Sequence, residues 1–277
     1  MAEQYHTLLS EQGVELCSLF GPKSFILEDR KFMRLTFILI IGLSTVIPWI
    51  PRVYAINEQA RESVILLHGL ARTSESMLSM EEALKKVGFT VHNIDYSTRH
   101  GTIEDLSERI VGAAIELSRQ EGADKIHFVT HSMGGILVRH YFAQKTIPEL
   151  GRVVMLGPPN QGSEVVDYLG SYLLFQWING VAGTQLGTDS NSVPQQLGPP
   201  SFSVGVIAGS RSINWINSLM IPDGDDGKVS LESTKLEGMQ DFIVLPVTHP
   251  FIMKDEESIK QTIHFLKTGS FIHPVPK

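Results

Sequence analysis

Between residues 62 and 268, short apolar runs alternate with stretches whose apolar residues recur every three or four positions. Val64-Ile-Leu-Leu67 is a continuous apolar run, the pattern of a strand buried on both faces. Met77, Met80, Leu84 and Val87 follow at helical spacing and predict a helix over 75–87. Residues 90–95 form the next strand candidate. Ile103, Leu106, Ile110, Ala114 and Leu117 mark a second helix that ends near Gly122. A strand is predicted over 125–130 and a helix over 133–145, with further strands over 153–156, 202–207 and 242–246. Helix 255–267 closes the series, with Ile259, Ile263 and Leu266 on one face. Such alternation specifies an α/β domain whose mostly parallel sheet carries helices on both faces.

Residues 168–201 break this pattern. They open with Tyr168, Leu169, Tyr172, Leu173, Leu174, Phe175, Trp177 and Ile178, then turn rich in Gly, Gln, Ser and Pro. The stretch is too apolar for a plain loop and too irregular for a sheet crossover. It reads either as a small cap or lid, or as side chains packed on the domain core.

Ahead of the alternating region, residues 35–51 carry no charge, and Arg30, Lys31 and Arg34 precede them. A basic segment, an apolar segment and a small-x-small site at Val53-Tyr-Ala55 are the parts of a secretory signal peptide. Met33 as the true start would give that signal an ordinary length and set residues 1–32 aside. On this reading the protein is exported, periplasmic or extracellular, after cleavage near Ala55. The same run also fits an uncleaved membrane anchor, although Pro48 and Pro51 would break the end of such a helix. A buried core helix is the third reading. The expected organisation is an N-terminal extension over 1–55 and a catalytic-sized domain over 56–277, with the candidate cap 168–201 inside it.

Composition narrows the partners. The 277 residues hold 23 basic and 30 acidic side chains, a formal net charge of −7, and no dense basic patch. Nucleic acid is therefore not expected as a partner, since phosphate binding needs concentrated Lys and Arg. The single cysteine, Cys17, forbids an intrachain disulfide. No Cys/His cluster has the spacing of a zinc site, so neither metal nor cofactor is expected. A domain of this length buries about 70% of its surface and can hold without staples.

The chemistry concentrates at Val129-Thr-His-Ser132-Met-Gly-Gly135, where a predicted strand turns into a predicted helix. A serine on so tight a turn presents its hydroxyl at the carboxyl edge of the sheet. The amides of the following helix point at the same spot, where negative charge develops in acyl transfer. Gly134 and Gly135 are small because strand and helix pass closely there. This is the nucleophile elbow G-x-S-x-G, with Thr130 in place of the first glycine.

On these residues, the sequence from 62 to about 268 resembles the α/β-hydrolase superfamily, specifically its bacterial lipase/esterase branch, where H-S-M-G-G elbows are common. The resemblance implies a Ser-acid-His order along the chain. It also implies that the backbone N–H of Leu70, in His68-Gly69-Leu70 after the first strand, joins that of Met133 in an oxyanion hole. His68 itself reads as a histidine satisfied locally at a strand end. Of the histidines after Ser132, His140 falls in the helix behind the serine, His264 in the terminal helix and His273 in a Pro-rich tail. His249, in a loop after the last strand, is the candidate base.

The acid is sought in Asp223-Gly-Asp225-Asp226-Gly227-Lys-Val229. Similar lipases carry Asp-Gly-x-Val, which matches Asp226, with Asp225 as the rival. A calcium loop fits poorly because Gly227 falls where the third ligand should stand. Pro158-Pro-Asn-Gln-Gly-Ser163 also resembles segments of bacterial lipase-like hydrolases, and reads locally as a turn leading into a helix. The expected activity is serine carboxylester hydrolysis through a covalent acyl-enzyme on lipid-like or medium-chain esters, the partner being a small-molecule or lipid ester substrate. Acyl transfer or amide cleavage would use the same triad, and a silent hydrolase fold used for binding is the reading from another class. Residues 35–51 would supply any membrane association.

Overall fold

The computed structural model describes residues 60–169, 180–211 and 229–274. The chain divides between Tyr54 and Ala55, and every described residue lies in the second unit. The apolar segment 35–51 and Cys17 lie outside the described residues. Among the described residues, no helix is long and apolar enough to cross a membrane.

Among the described residues six strands form one sheet: β1 Glu62–Leu67, β2 Thr90–Ile94, β3 Lys125–His131, β4 Leu150–Leu156, β5 Val204–Gly209 and β6 Asp241–Leu245. Their order is β2-β1-β3-β4-β5-β6 and every neighbouring pair is parallel. The helices are α1 Leu78–Lys86, α2 Ile103–Leu106, α3 Gly112–Gln120, α4 Met133–Gln144, α5 Glu164–Leu169, α6 Val193–Gln196, α7 Leu231–Thr234 and α8 Glu256–Thr268. A π-helical turn, Ser107–Val111, joins α2 to α3, so the second predicted helix is continuous. Local chemistry sets the helix ends. Thr102 and Asp105 form a capping box on α2, Asp255 caps α8, and Gly269 ends α8 in the left-handed region (φ 87°).

Alternating side chains on the strands feed two cores. Ile65, Leu67, Phe128, Val153, Met155, Val204 and Val206 pack with Ile103, Leu106, Ile115 and Leu137 from α2, α3 and α4 on one face. Val64, Leu66, Val129, Val154 and Ile207 pack with Met80 and Leu84 of α1 and Phe265 and Leu266 of α8 on the other. The expected helices on both faces are present, because continuous apolar strands cannot leave either side to water.

The departures from the predicted elements are local. The helix expected over 75–87 begins as a 3-10 turn, Ser74–Met77, before α1. β4 starts three residues earlier than expected, at Leu150, because Gly151 and Arg152 are half-buried at the sheet's end and break the apolar run there.

The order of the strands places a site. From β1 the chain crosses through α1 on one face to β2; from β3 it crosses through α4 on the opposite face to β4. Where successive connections diverge to opposite faces, the carboxyl ends of the strands open a crevice. Here that crevice lies between β1 and β3, at Gly69 and Ser132.

Residues 170–179 of the candidate cap lie outside the described residues. The part from 180 to 201 is fastened to the body. Ala182, Leu186 and Val193 are buried in the same core as β1 and β3. Gln185 Oε1 accepts from Ile103 N–H at 2.7 Å, and Asp167 accepts from the Thr188 amide and hydroxyl at 2.9 and 2.6 Å. A Cβ at Gly162 would fall 2.1 Å from the Gly187 carbonyl oxygen, so only glycine lets these two segments meet.

Candidate active site

β3 ends at His131 and α4 begins at Met133, which leaves Ser132 alone to make the turn. It does so with φ 53° and ψ −124°, a conformation that a side chain rarely adopts. The close approach of α4 to β1 requires that turn. A Cβ at Gly134 would stand 2.7 Å from the Leu67 carbonyl oxygen. At Gly135 it would meet Met155 Sδ, Pro158 Cβ and Thr130 Oγ1, each at 3.3 Å. Thr130 is tolerated in the first elbow position because the room its side chain needs is left by Gly135. The Met133 N–H lies in the first turn of α4, where amides have no partner within the helix.

The loop after β1 meets this turn directly. A Cβ at Gly69 would lie 3.0 Å from Ser132 Cβ and 2.6 Å from His131 Nδ1, so the Gly69 backbone lies against the serine. The loop after β6 arrives from the other side. His131 Nε2 is 3.1 Å from the His249 carbonyl oxygen, and the two rings are 4.8 Å apart. A carbonyl can only accept, so this bond puts a proton on His131 Nε2. The His249 side chain is 2% exposed. Arg72 reaches across from the first loop to donate to the Pro250 carbonyl (3.5 Å), joining the two loops.

Ser132, Met133, the loop of Leu70 and the loop of His249 are therefore brought to one end of the sheet. Asp226 and its rivals Asp225 and Asp223 lie outside the described residues. The segment that carries them leaves β5 after Gly209 and is followed from Val229. Beyond it, the hydroxyls of Ser230 and Ser233 each donate to Glu164 Oε1 at 2.9 Å, and Thr234 accepts from Asn160 Nδ2 at 2.8 Å. Among the described residues, no three His, Cys, Asp or Glu side chains stand together as a metal ion would require.

His68 is satisfied locally. Its Nδ1 donates to the Gly69 carbonyl at 3.0 Å, and its Nε2 accepts from the Tyr96 amide at 3.3 Å. Both ring nitrogens are used, which requires the neutral imidazole, and burial holds its pKa below the usual histidine value. The other late histidines stand apart from the crevice. His140 Nε2 pairs with Gln144 on α4, His264 Nδ1 with the Ser270 carbonyl, and His273 Nε2 with Asp241.

Sequence reasoning passed over two groups that the structure places at the site. In the sequence His131 is only a member of the elbow, whereas in the structure it holds the His249 loop. Tyr96 and Thr98 follow β2 at the same edge of the sheet as His68. Their one signal in the sequence is a polar Asp95-Tyr-Ser-Thr98 cluster directly after a strand.

Comparisons agree with this architecture. A family model described as palmitoyl protein thioesterase matches residues 63–196. Among solved structures, the mature form of the Bacillus licheniformis lipase BlEst2 is similar, with a TM-score of 0.64 and 20% identity, over 78% of this chain and 94% of that one. The Pyrococcus furiosus esterase Pf2001 is similar over 75% of this chain and 83% of its own (TM-score 0.52, 17% identity). Phospholipase PlaB from Legionella pneumophila is similar over 74% and 62% (TM-score 0.53, 18% identity).

Proposed function

We propose that this chain, whose fold is that of α/β-hydrolase lipases and esterases, is a serine carboxylester hydrolase acting on lipid-like or medium-chain esters. The observation that carries the proposal is Ser132 itself, held at positive φ between β3 and α4 with the Gly69 backbone against its Cβ. Strain of that kind persists where the surrounding structure fixes it, which supports a functional role for the turn.

In the mechanism, His249 takes the Ser132 proton as Oγ bonds to the ester carbonyl carbon. The carbonyl π electrons move to oxygen, and the resulting oxyanion is held by the N–H groups of Leu70 and Met133. Each such donor contributes on the order of 3 kcal/mol to the transition state. Asp226 orients the imidazole and stabilises its cation. His249 then protonates the departing alkoxide as the C–O bond breaks, leaving an acyl-serine. Water, deprotonated by His249, attacks that ester, and Ser132 leaves with its proton restored. Export or membrane attachment through residues 35–51 belongs to the same proposal and would place the enzyme near lipid.

The family match over 63–196 favours a second substrate class, thioesters. A thiolate is a better leaving group than an alkoxide, so the same residues would cleave it with less help from His249 as acid.

The test uses the full chain and its Ser132→Ala variant, both treated with a fluorophosphonate and mapped by mass spectrometry. Labelling at Ser132, absent from the variant, is expected, together with hydrolysis of p-nitrophenyl octanoate. A folded chain that takes no label with or without detergent defeats the proposal. Octanoyl thioester turnover above that of the oxygen ester would move the substrate class to thioesters.

A further inference from the structure

The loop after β1 is held at both ends by the loop after β2. The Tyr96 hydroxyl donates to the His68 carbonyl at 2.6 Å, and the Tyr96 amide donates to His68 Nε2 at 3.3 Å. Their rings stack at 4.1 Å with 18° between planes. Three residues on, the Ala71 amide donates to Thr98 Oγ1 at 3.0 Å, and Ala71 is one of two non-glycine residues at positive φ (53°) among the described residues. Tyr96 and Thr98 are both buried, so each hydroxyl is committed to this loop rather than to water.

We infer that Tyr96 and Thr98 are positioning residues for the Leu70 oxyanion donor, an assignment that rests on the ester-hydrolase reading above. Tyr96 fixes the backbone and ring of His68, and His68 Nδ1 in turn donates to the Gly69 carbonyl (3.0 Å). That carbonyl belongs to the same peptide unit as the Leu70 N–H. In a planar trans peptide the two point in opposite directions, so holding the carbonyl aims the amide. The bond at the carbonyl also polarises the amide and strengthens it as a donor. Thr98 secures the other side of Leu70 through the Ala71 amide. Gly69 is already against Ser132, so any slack toward β2 widens the gap between the serine and its donor. Neither Tyr96 nor Thr98 touches a reacting atom.

The experiment measures Tyr96→Phe, Thr98→Val and Ser63→Ala in the full chain. Readouts are p-nitrophenyl butyrate kinetics, thermal melts, fluorophosphonate labelling and inhibition by an alkyl trifluoromethyl ketone, which forms an oxyanion on the serine. The first two variants keep ring and shape and remove one hydrogen bond each. Ser63→Ala removes a buried bond to Ser118 (3.0 Å) at the opposite end of β1 and serves as the stability control. Tyr96→Phe and Thr98→Val are each expected to lower kcat about tenfold with KM within about twofold, as misplacement of a donor does. Ketone inhibition should weaken by the same factor, whereas Ser63→Ala should lower the melting temperature and keep kcat. The positioning role is overturned if either variant keeps kcat within about twofold of wild type, or if Ser63→Ala loses kcat and ketone inhibition as they do, so that the losses follow stability alone. Should Tyr96→Phe not fold, Thr98→Val decides alone. A wild-type chain that is neither labelled nor active defeats the hydrolase reading itself; a labelled, active wild type with unaffected variants defeats only the positioning role.

Discussion

His131 donates from Nε2 to the backbone carbonyl of His249, 3.1 Å away. The residue before the candidate nucleophile thus holds the loop of the candidate base through that loop's backbone. Replacing His131 with Ala should free that loop and lower kcat/KM about tenfold or more, since small displacements of a base are costly. His131→Gln keeps an N–H donor at similar reach and should recover part of the loss. Steady-state kinetics on both variants check this, and an alanine variant with wild-type kcat would show that the His249 loop is held by other means.

Gly134→Ala is expected to be among the most damaging single-methyl substitutions in the domain. Its Cβ would stand 2.7 Å from a backbone carbonyl at the end of β1, a partner with no freedom to move away. Overpacking of this kind costs about 2 kcal/mol, or roughly 6 °C in melting temperature for a domain of this size. A melt within about 1 °C of wild type would mean that α4 can slide along β1.

The elements around these residues were largely legible because strands buried on both faces write continuous apolar runs and helices write a 3.6-residue period. The elbow was legible because a turn from strand to helix this tight restricts residue type, and the sequence also shows that His249 lies in the loop after the last strand. Pairings across long separations were not. Nothing in the periodicity connects His68 to Tyr96, 28 residues on, or Asn160 to Thr234, 74 residues on. The irregular stretch after α5 was ambiguous because Ala182, Leu186 and Val193 reach the core from a segment without regular repeat. Its described part also meets Gly162 at Gly187 and Arg99 at Gly180, contacts that no periodicity announces.

Acid should destabilise the domain through His127. The residue is fully buried on β3, where its Nδ1 accepts from the Arg152 amide at 2.9 Å. Burial pushes its pKa down to about 4; Glu62 on β1 opposes the shift, while Lys125 and Arg152 add to it. Phe89 packs against the ring edge-on. A depressed histidine pKa means that the unfolded chain binds the proton first. The contribution is therefore whole above about pH 6.5 and falls away as pH drops toward 4, about 3 kcal/mol in all. Urea unfolding at pH 7, 5.5 and 4.5 should show that decline. His127→Gln should flatten it by about one proton, and an unchanged slope in the variant would place the acid sensitivity elsewhere.

Asp226→Asn should lower kcat about 10⁴-fold, as loss of the orienting carboxylate does in Ser-His-Asp enzymes, and leave fluorophosphonate labelling slowed but still at Ser132. Asp225→Asn should change kcat by less than about threefold. A reversed pair of effects would assign the acid to Asp225, and two silent variants would remove the acid from this segment altogether.

Arg139 provides the strictest test of how the body is held together behind the site. It is buried in α4, and among the described residues it pairs with no carboxylate. Nη1 donates to Asn160 O and Oδ1 at 2.9 and 3.2 Å, while Nη2 donates to the carbonyls of Leu197 and Gly198 at 2.7 and 3.4 Å. Asn160 passes the connection on to Thr234, so one guanidinium gathers the helix that follows Ser132, the loop after β4 and the end of the 180–201 segment, and through Asn160 the residues after Val229. Burial lowers its pKa to about 10, which still leaves it charged at neutral pH. A planar fork reaches carbonyls on two segments at once; an ammonium is a single point and cannot. Arg139→Lys should therefore lose about 3 kcal/mol, seen as a lower urea midpoint at unchanged slope. Arg139→Met separates geometry from charge. If the fork matters, Met fails as Lys does, because the carbonyls are left unpaired in both. If burying the charge is the net cost, Met matches or exceeds wild type, as hydrophobic replacement of buried charge can, and the knot would then be a tolerated burden rather than a support.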